Sequence, residues 1–215
     1  MPTRTHPPIP SHPDVVIESQ QRVWEGRFPL DVVKFRHRRF DGRMSGMKTW
    51  ETWRRGKAAA VLPYDPEADV VVLIEQFRFP ALVAGIEPVL VELPAGLVDD
   101  GESAEYTARR EMIEEMALTV GELRHIGSYL LTPGGADEVC ELYIGRVTAP
   151  RADADGIAGH AGMAAEHEDI RVRVWPAQTA IDAALDGRLS NSVAGLGLMW
   201  LASRRAQIRA AWGTA

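Results

Sequence analysis

The chain has 215 residues, of which 46% are hydrophobic and 25% charged, and a net charge of −6. This composition suits a globular domain with a real core, and the acidic balance excludes a basic nucleic-acid footprint. No run approaches the roughly 18 apolar residues of a membrane span, and the one cysteine, Cys140, excludes an internal disulfide and points to a reducing compartment.

Residues 1–14 are proline-rich and lack the apolar stretch of a signal peptide; they read as a mobile tail, and a cytoplasmic location follows. Residues 15–24 and 30–40 read as strands, 41–46 as a turn and 47–56 as a third strand, a small N-terminal β unit. Longer apolar runs follow at 57–65 and 69–79, as expected of strands covered on both faces. Residues 88–96 form another strand, 102–117 a helix, and 123–131 and 138–148 two strands around "TPGGAD". A Gly/Ala-rich loop is expected over 150–168. Its "DADADGIAG" hints at a calcium loop, but alignment on Gly156 puts Arg151 and Gly162 at the first and twelfth ligand positions, where both fail. A strand at 169–175 and helices at 177–187 and 192–212 complete the chain. Hairpins mixed with helical connections predict an α/β fold, a mixed sheet sandwiched between helices, with the small β subdomain at 15–55 and the main domain at 56–215.

The stretch "GLVDDGESAEYTARREMIEEMAL" carries seven acidic side chains in 23 residues. At 100° per residue Glu111 and Glu115 lie about 40° apart on the helix and Glu114 about 60° from Glu111, while Met112 and Met116 face the core. Like charges at this spacing repel, and near a core they take up protons unless a cation is present. A di-iron bundle would need Glu-x-x-His pairs on facing helices, and a glycosidase pair stands several Å apart across a cleft. Two readings stay open on the helix alone. One is a solvated face with Arg109 and Arg110 as partners. The other is a divalent-metal site built from hard oxygen ligands.

The spacing around the helix is more specific. Gly96, Glu102, Arg110-Glu111-Met112, Glu114-Glu115 and Ala117-Leu118 resemble the signature of the Nudix hydrolases, with Ala117 where that signature has glycine. "ELPAGLVDDGES", "SYLLTPGGADE", "AAEHEDIRVRVW" and "FRHRRFDG" further resemble the bacterial ADP-ribose pyrophosphatase branch of the family. The resemblance implies a Nudix fold and metal-dependent cleavage of ADP-ribose to AMP and ribose 5-phosphate, with Mg²⁺ or Mn²⁺. It also implies a homodimer assembled partly through the N-terminal β unit. By position, Glu111, Glu115 and the Ala95 carbonyl would hold metal, with Glu114 in its surroundings and Glu168 adding a contact from the late loop. Arg110 would orient the glutamates, and Glu166 would be the general base, with Glu168 its rival. Substrate contacts would come from Phe28, Trp50, Arg55, Arg78, Gly134, Gly135 and Glu138. Trp50 stands where relatives carry arginine, and its indole would stack on adenine. Two other functions fit the same motif: hydrolysis of another nucleoside diphosphate compound, and a non-catalytic module that senses ADP-ribose.

Overall fold

The computed structural model describes residues 6–163 and 168–213, and the chain divides into two compact units. The first comprises Met1–Lys57, Asp99–Gly101 and Leu130–Val139. Its β1 (Val15–Trp24), β2 (Leu30–His37) and β3 (Lys48–Trp53) form an antiparallel three-stranded sheet. Beneath it, fully buried Asp31 accepts from Arg54 at 3.0 Å, Arg22 at 2.9 Å and Gln20 at 2.9 Å. A buried carboxylate is tolerated when it is this fully paired. Asp137 draws the 130–139 segment onto the end of β3: it accepts from Arg54 Nε at 2.7 Å and from the Arg55 and Gly56 amides at 2.6 and 3.0 Å.

The second unit comprises Ala58–Val98, Glu102–Tyr129 and Cys140–Ala215. Its mixed sheet runs in the order β10 (Ile157–Ala161), β11 (Ile170–Pro176), β5 (Val70–Phe77), β4 (Lys57–Asp65), β9 (Val139–Arg146), β8 (Leu123–Leu130). β6 (Val89–Glu92) pairs with β5, and β7 (Ala95–Leu97) pairs with β4. The central strands are buried on both faces, as their apolar runs predict. On one face Ala59, Val61, Val72 and Ile74 pack with Ala108, Met112 and Met116 of helix α2 (Ala104–Met116). On the other, Leu62 and Leu93 meet Gly197 of α4 (Ser192–Ala211), where a Cβ would stand 3.2 Å from a Leu93 methyl. Helix α3 (Ala177–Leu185) packs beside α4. The sheet is therefore sandwiched between helices.

Three expected elements differ in detail. Residues 88–96 form two strands, because Pro94 has no N–H to donate: the chain leaves β5 after Glu92 and resumes on β4 at Ala95. A five-residue helix, α1 (Phe79–Val83), follows β5 with Pro80 in its first turn. The expected loop over 150–168 contains β10, which pairs antiparallel with β11.

Candidate active site

Helix α2 begins where the Ser103 hydroxyl accepts from the Tyr106 amide at 3.1 Å, satisfying one of the unpaired first-turn donors. It ends at Ala117, whose left-handed backbone (φ 54°, ψ 31°) lets the Leu118 amide reach the Met112 carbonyl at 3.1 Å. Between these caps the 3.6-residue period turns Thr107, Ala108, Glu111, Met112, Glu115 and Met116 inward. Two carboxylates are thus carried into the fold with the apolar stripe.

What they meet is the short strand β7. Gly96 lies so close to Glu111 that a Cβ there would overlap its carboxylate; this glycine is required for close approach, not for a positive φ. One residue earlier, the Ala95 amide donates to Glu115 Oε2 at 2.9 Å. Arg110 reaches Glu111 and Glu114 at 2.8 Å each and Glu102 at 3.4 Å. It also donates to the Leu97 carbonyl at 3.4 Å. It ties the three box glutamates on its own side to the end of β7 through charge-assisted bonds.

Burial raises the Glu111 carboxyl to about 7, against the opposing pull of Arg110. Burial likewise raises Glu115 to about 8, against the Ala95 hydrogen bond and with the help of negative Glu111 and Glu168. Desolvation acts to lower Arg110, but the surrounding glutamates outweigh it and hold the guanidinium firmly charged. Arg78 donates to Glu92 at 2.7 Å and feels the charges of Glu115 and Glu168. Glu168 accepts from the Met163 amide at 3.1 Å, and the neighbouring Gly162 amide donates to the Glu114 carbonyl at 3.4 Å. Glu111, Glu115, Glu168 and Arg78 are thus neighbours in one acid centre, while Glu166 lies outside the described residues. Among the described residues no three His, Cys, Asp or Glu side chains converge at metal-ligand spacing, because Glu111 turns to Arg110 and Glu115 to the Ala95 amide. The donor set is nonetheless hard: two buried carboxylate groups beside a strand whose glycine leaves room for them, the chemistry a small divalent cation takes.

The other expected site residues gather in the first unit. The Arg55 guanidinium lies 4.3 Å from the Phe28 ring centre and 4.8 Å from that of Trp53, and Phe28 and Trp53 meet edge to face at 5.9 Å. Arg55 also pairs with Glu138 at 2.9 Å. The Trp50 indole donates to the Gly134 carbonyl at 2.9 Å, and the Trp53 amide donates to that of Gly135 at 2.7 Å. Three structurally important groups escaped the sequence reading. Glu92 and Asp137 are single acids in apolar or turn segments, without a spacing signal, and Gln76 is a lone amide in a strand. Only register reveals their partners.

A model of the NUDIX domain family matches residues 54–192. The chain belongs to the Nudix family. Among its Nudix relatives, a protein from Escherichia coli named "ADP-ribose pyrophosphatase" is 39% identical over 199 residues, 93% of both chains. One of the same name from Haemophilus influenzae is 38% identical over 205 residues, 94% of this chain and 92% of the other. An Escherichia coli protein named "GDP-mannose pyrophosphatase" is 33% identical over 175 residues, 81% of this chain and 87% of the other. A solved "ADP compounds hydrolase" superposes with a TM-score of 0.65 at 18% identity, covering 96% of this chain and all of that one, which shows a shared fold. The Nudix box spans β7, the 98–103 connection and α2, the elements that build the acid centre.

Proposed function

We propose that this Nudix protein hydrolyses the diphosphate of ADP-ribose to AMP and ribose 5-phosphate, with Mg²⁺ or Mn²⁺ as cofactor. The observation that carries this reading is the pair of buried carboxylates, Glu111 and Glu115, held against Gly96 and Ala95; the two near-full-length relatives named for ADP-ribose supply the substrate. Glu111, Glu115 and the Ala95 carbonyl hold the cation, with Glu114 beside it and Glu168 adding a contact. When bound, such a cation neutralises a diphosphate and lowers the pKa of a water. Arg110 keeps Glu111 and Glu114 in place. Glu166 takes the proton of the attacking water, with Glu168 as its rival; one phosphorus–oxygen bond forms and the bridging one breaks. Arg78 contacts the substrate, as do Phe28, Trp50, Arg55, Gly134, Gly135 and Glu138, where a stacked cation and aromatic rings suit a nucleoside.

Glu115→Gln keeps the shape and removes the charge. Turnover should fall by several orders of magnitude while the melting temperature holds or rises; unchanged turnover refutes the assignment. The relative named for GDP-mannose favours a second reading, a nucleotide-sugar hydrolase. Specificity constants across ADP-ribose, nucleotide sugars and dinucleotides, measured with Mg²⁺, decide between them: ADP-ribose should lead the panel. Val16, Val23, Trp24 and Phe40 expose large apolar surface on the first unit, which supports a homodimer. Light scattering at micromolar concentration should give twice the chain mass, and a monomer would remove that assembly.

A further inference from the structure

Gln76 is 8% exposed, and its Oε1 is enclosed without a hydrogen-bond partner among the described residues. A buried acceptor without a donor leaves its desolvation uncompensated, so its position has to be accounted for. Register gives that position. Gln76 pairs with Ile170 on β11 and with Leu90 on β6, and directly paired residues share a face of the sheet. Alternation along β5 puts it in line with Val72 and Ile74, which pack beneath Met112 of α2. In the other direction the same line leads to Arg78, which bonds Glu92 and feels Glu115 and Glu168. Gln76 therefore stands at the seam where the apolar floor under α2 gives way to the acid centre.

Its paired neighbours do not satisfy it. Ile170 and Leu90 are apolar side chains with nothing to donate, and Arg78 commits Nε and Nη2 to Glu92 at 3.1 and 2.7 Å. An enclosed acceptor facing the acid centre suits a donor that arrives with a ligand. The water of hydration of a small divalent cation is such a donor: Mg²⁺ bound by carboxylates keeps several waters, and the ion's charge strengthens their O–H donation. A carboxamide accepts from it without adding another negative charge to the centre.

We propose that Gln76 is a positioning residue for the divalent cation assigned to Glu111 and Glu115, its Oε1 accepting a hydrogen bond from a water in the cation's hydration shell. The inference rests on the metal reading above. Its test is Mn²⁺ titration, followed by electron paramagnetic resonance, of the full chain and of Gln76→Met, Gln76→Glu and Glu115→Gln, with melts of the cation-free proteins. Gln76→Met should melt at or above the wild type, since an apolar group replaces an orphaned acceptor, yet bind Mn²⁺ roughly tenfold or more weakly. Its kcat should fall more than its KM changes. Gln76→Glu keeps an oxygen and adds charge, so it should bind Mn²⁺ at least as tightly as the wild type. Wild-type Mn²⁺ affinity in Gln76→Met overturns the proposal. Weakened affinity in Gln76→Glu does so as well, whatever the stability of the Met variant. Wild-type Mn²⁺ binding by Glu115→Gln would overturn the metal reading itself, and the proposal with it.

Discussion

Ala117 holds a left-handed backbone at the end of α2 (φ 54°), a conformation in which a Cβ crowds the following carbonyl at a cost of roughly 1–2 kcal/mol. The Nudix signature places glycine there, and the structure supplies the reason: the αL turn is what carries the chain out of the helix with its last carbonyls satisfied. Ala117→Gly should therefore stabilise the protein by about 0.5–1 kcal/mol, after the greater freedom of glycine in the unfolded chain is deducted. For a chain of this size that is a rise of about 1–4 °C in melting temperature. A melt at or below the wild type would refute this account of the cap. Gly96 shows a different use of the same residue. Its φ is not among the positive values, and its need is space beside Glu111. The sequence shows that both positions matter to the box; which needs a dihedral and which needs a void is legible only in three dimensions.

At the scale of elements, legibility follows how locally each element is determined. The apolar runs of β4 and β5 and the box helix declare themselves because burial on two faces, or on one stripe, is written into their own residues. β10 does not: Ile157–Ala161 is small-residue chain with little strand propensity of its own, and its pairing is imposed by the edge of β11. Helix α1 is too short for a period. In the acid centre the two inward glutamates were legible from spacing, whereas the amide of Ala95 and the pairing of Arg78 with Glu92 depend on which strands become neighbours. Asp137 is the same kind of case in the first unit. Its carboxylate accepts three bonds from residues more than eighty positions earlier, one of them from nearly buried Arg54. Burial acts to raise its pKa, and the Gly56 amide, Arg54 and the Arg55 amide together hold it below the usual range. Asp137→Ala leaves those donors without their acceptor and should cost about 1–3 kcal/mol, seen as a fall of several degrees in the melt. Asp137→Asn keeps one acceptor oxygen and should lose less. Equal losses in the two variants would mean that the carboxylate's hydrogen bonds are not what anchors the 130–139 segment.

For the whole molecule, the acid centre sets how stability responds to pH. Glu111 and Glu115 titrate near 4.5 in an unfolded chain and near about 7 and about 8 in the fold. Between those limits the folded protein holds more protons than the unfolded one, so stability falls as pH rises. The paired aspartates work elsewhere on the scale. Asp31, Asp69 and Asp137 have lowered pKa values, so what they contribute is present above 3.8 and is lost only as pH falls below it. The cation-free protein should accordingly melt at a lower temperature at pH 8 than at pH 5.5, and Glu115→Gln should flatten that slope by removing one of the two titrating groups. Divalent cations compete with protons for the same oxygens, and whatever binds only the folded state stabilises it by mass action. The rise in melting temperature produced by a fixed excess of Mg²⁺ should therefore grow from pH 5.5 to pH 8. A cation-free melt that is level or rising over that range would show that burial does not hold protons on these glutamates. A Mg²⁺ increment independent of pH would show that the ion binds away from Glu111 and Glu115.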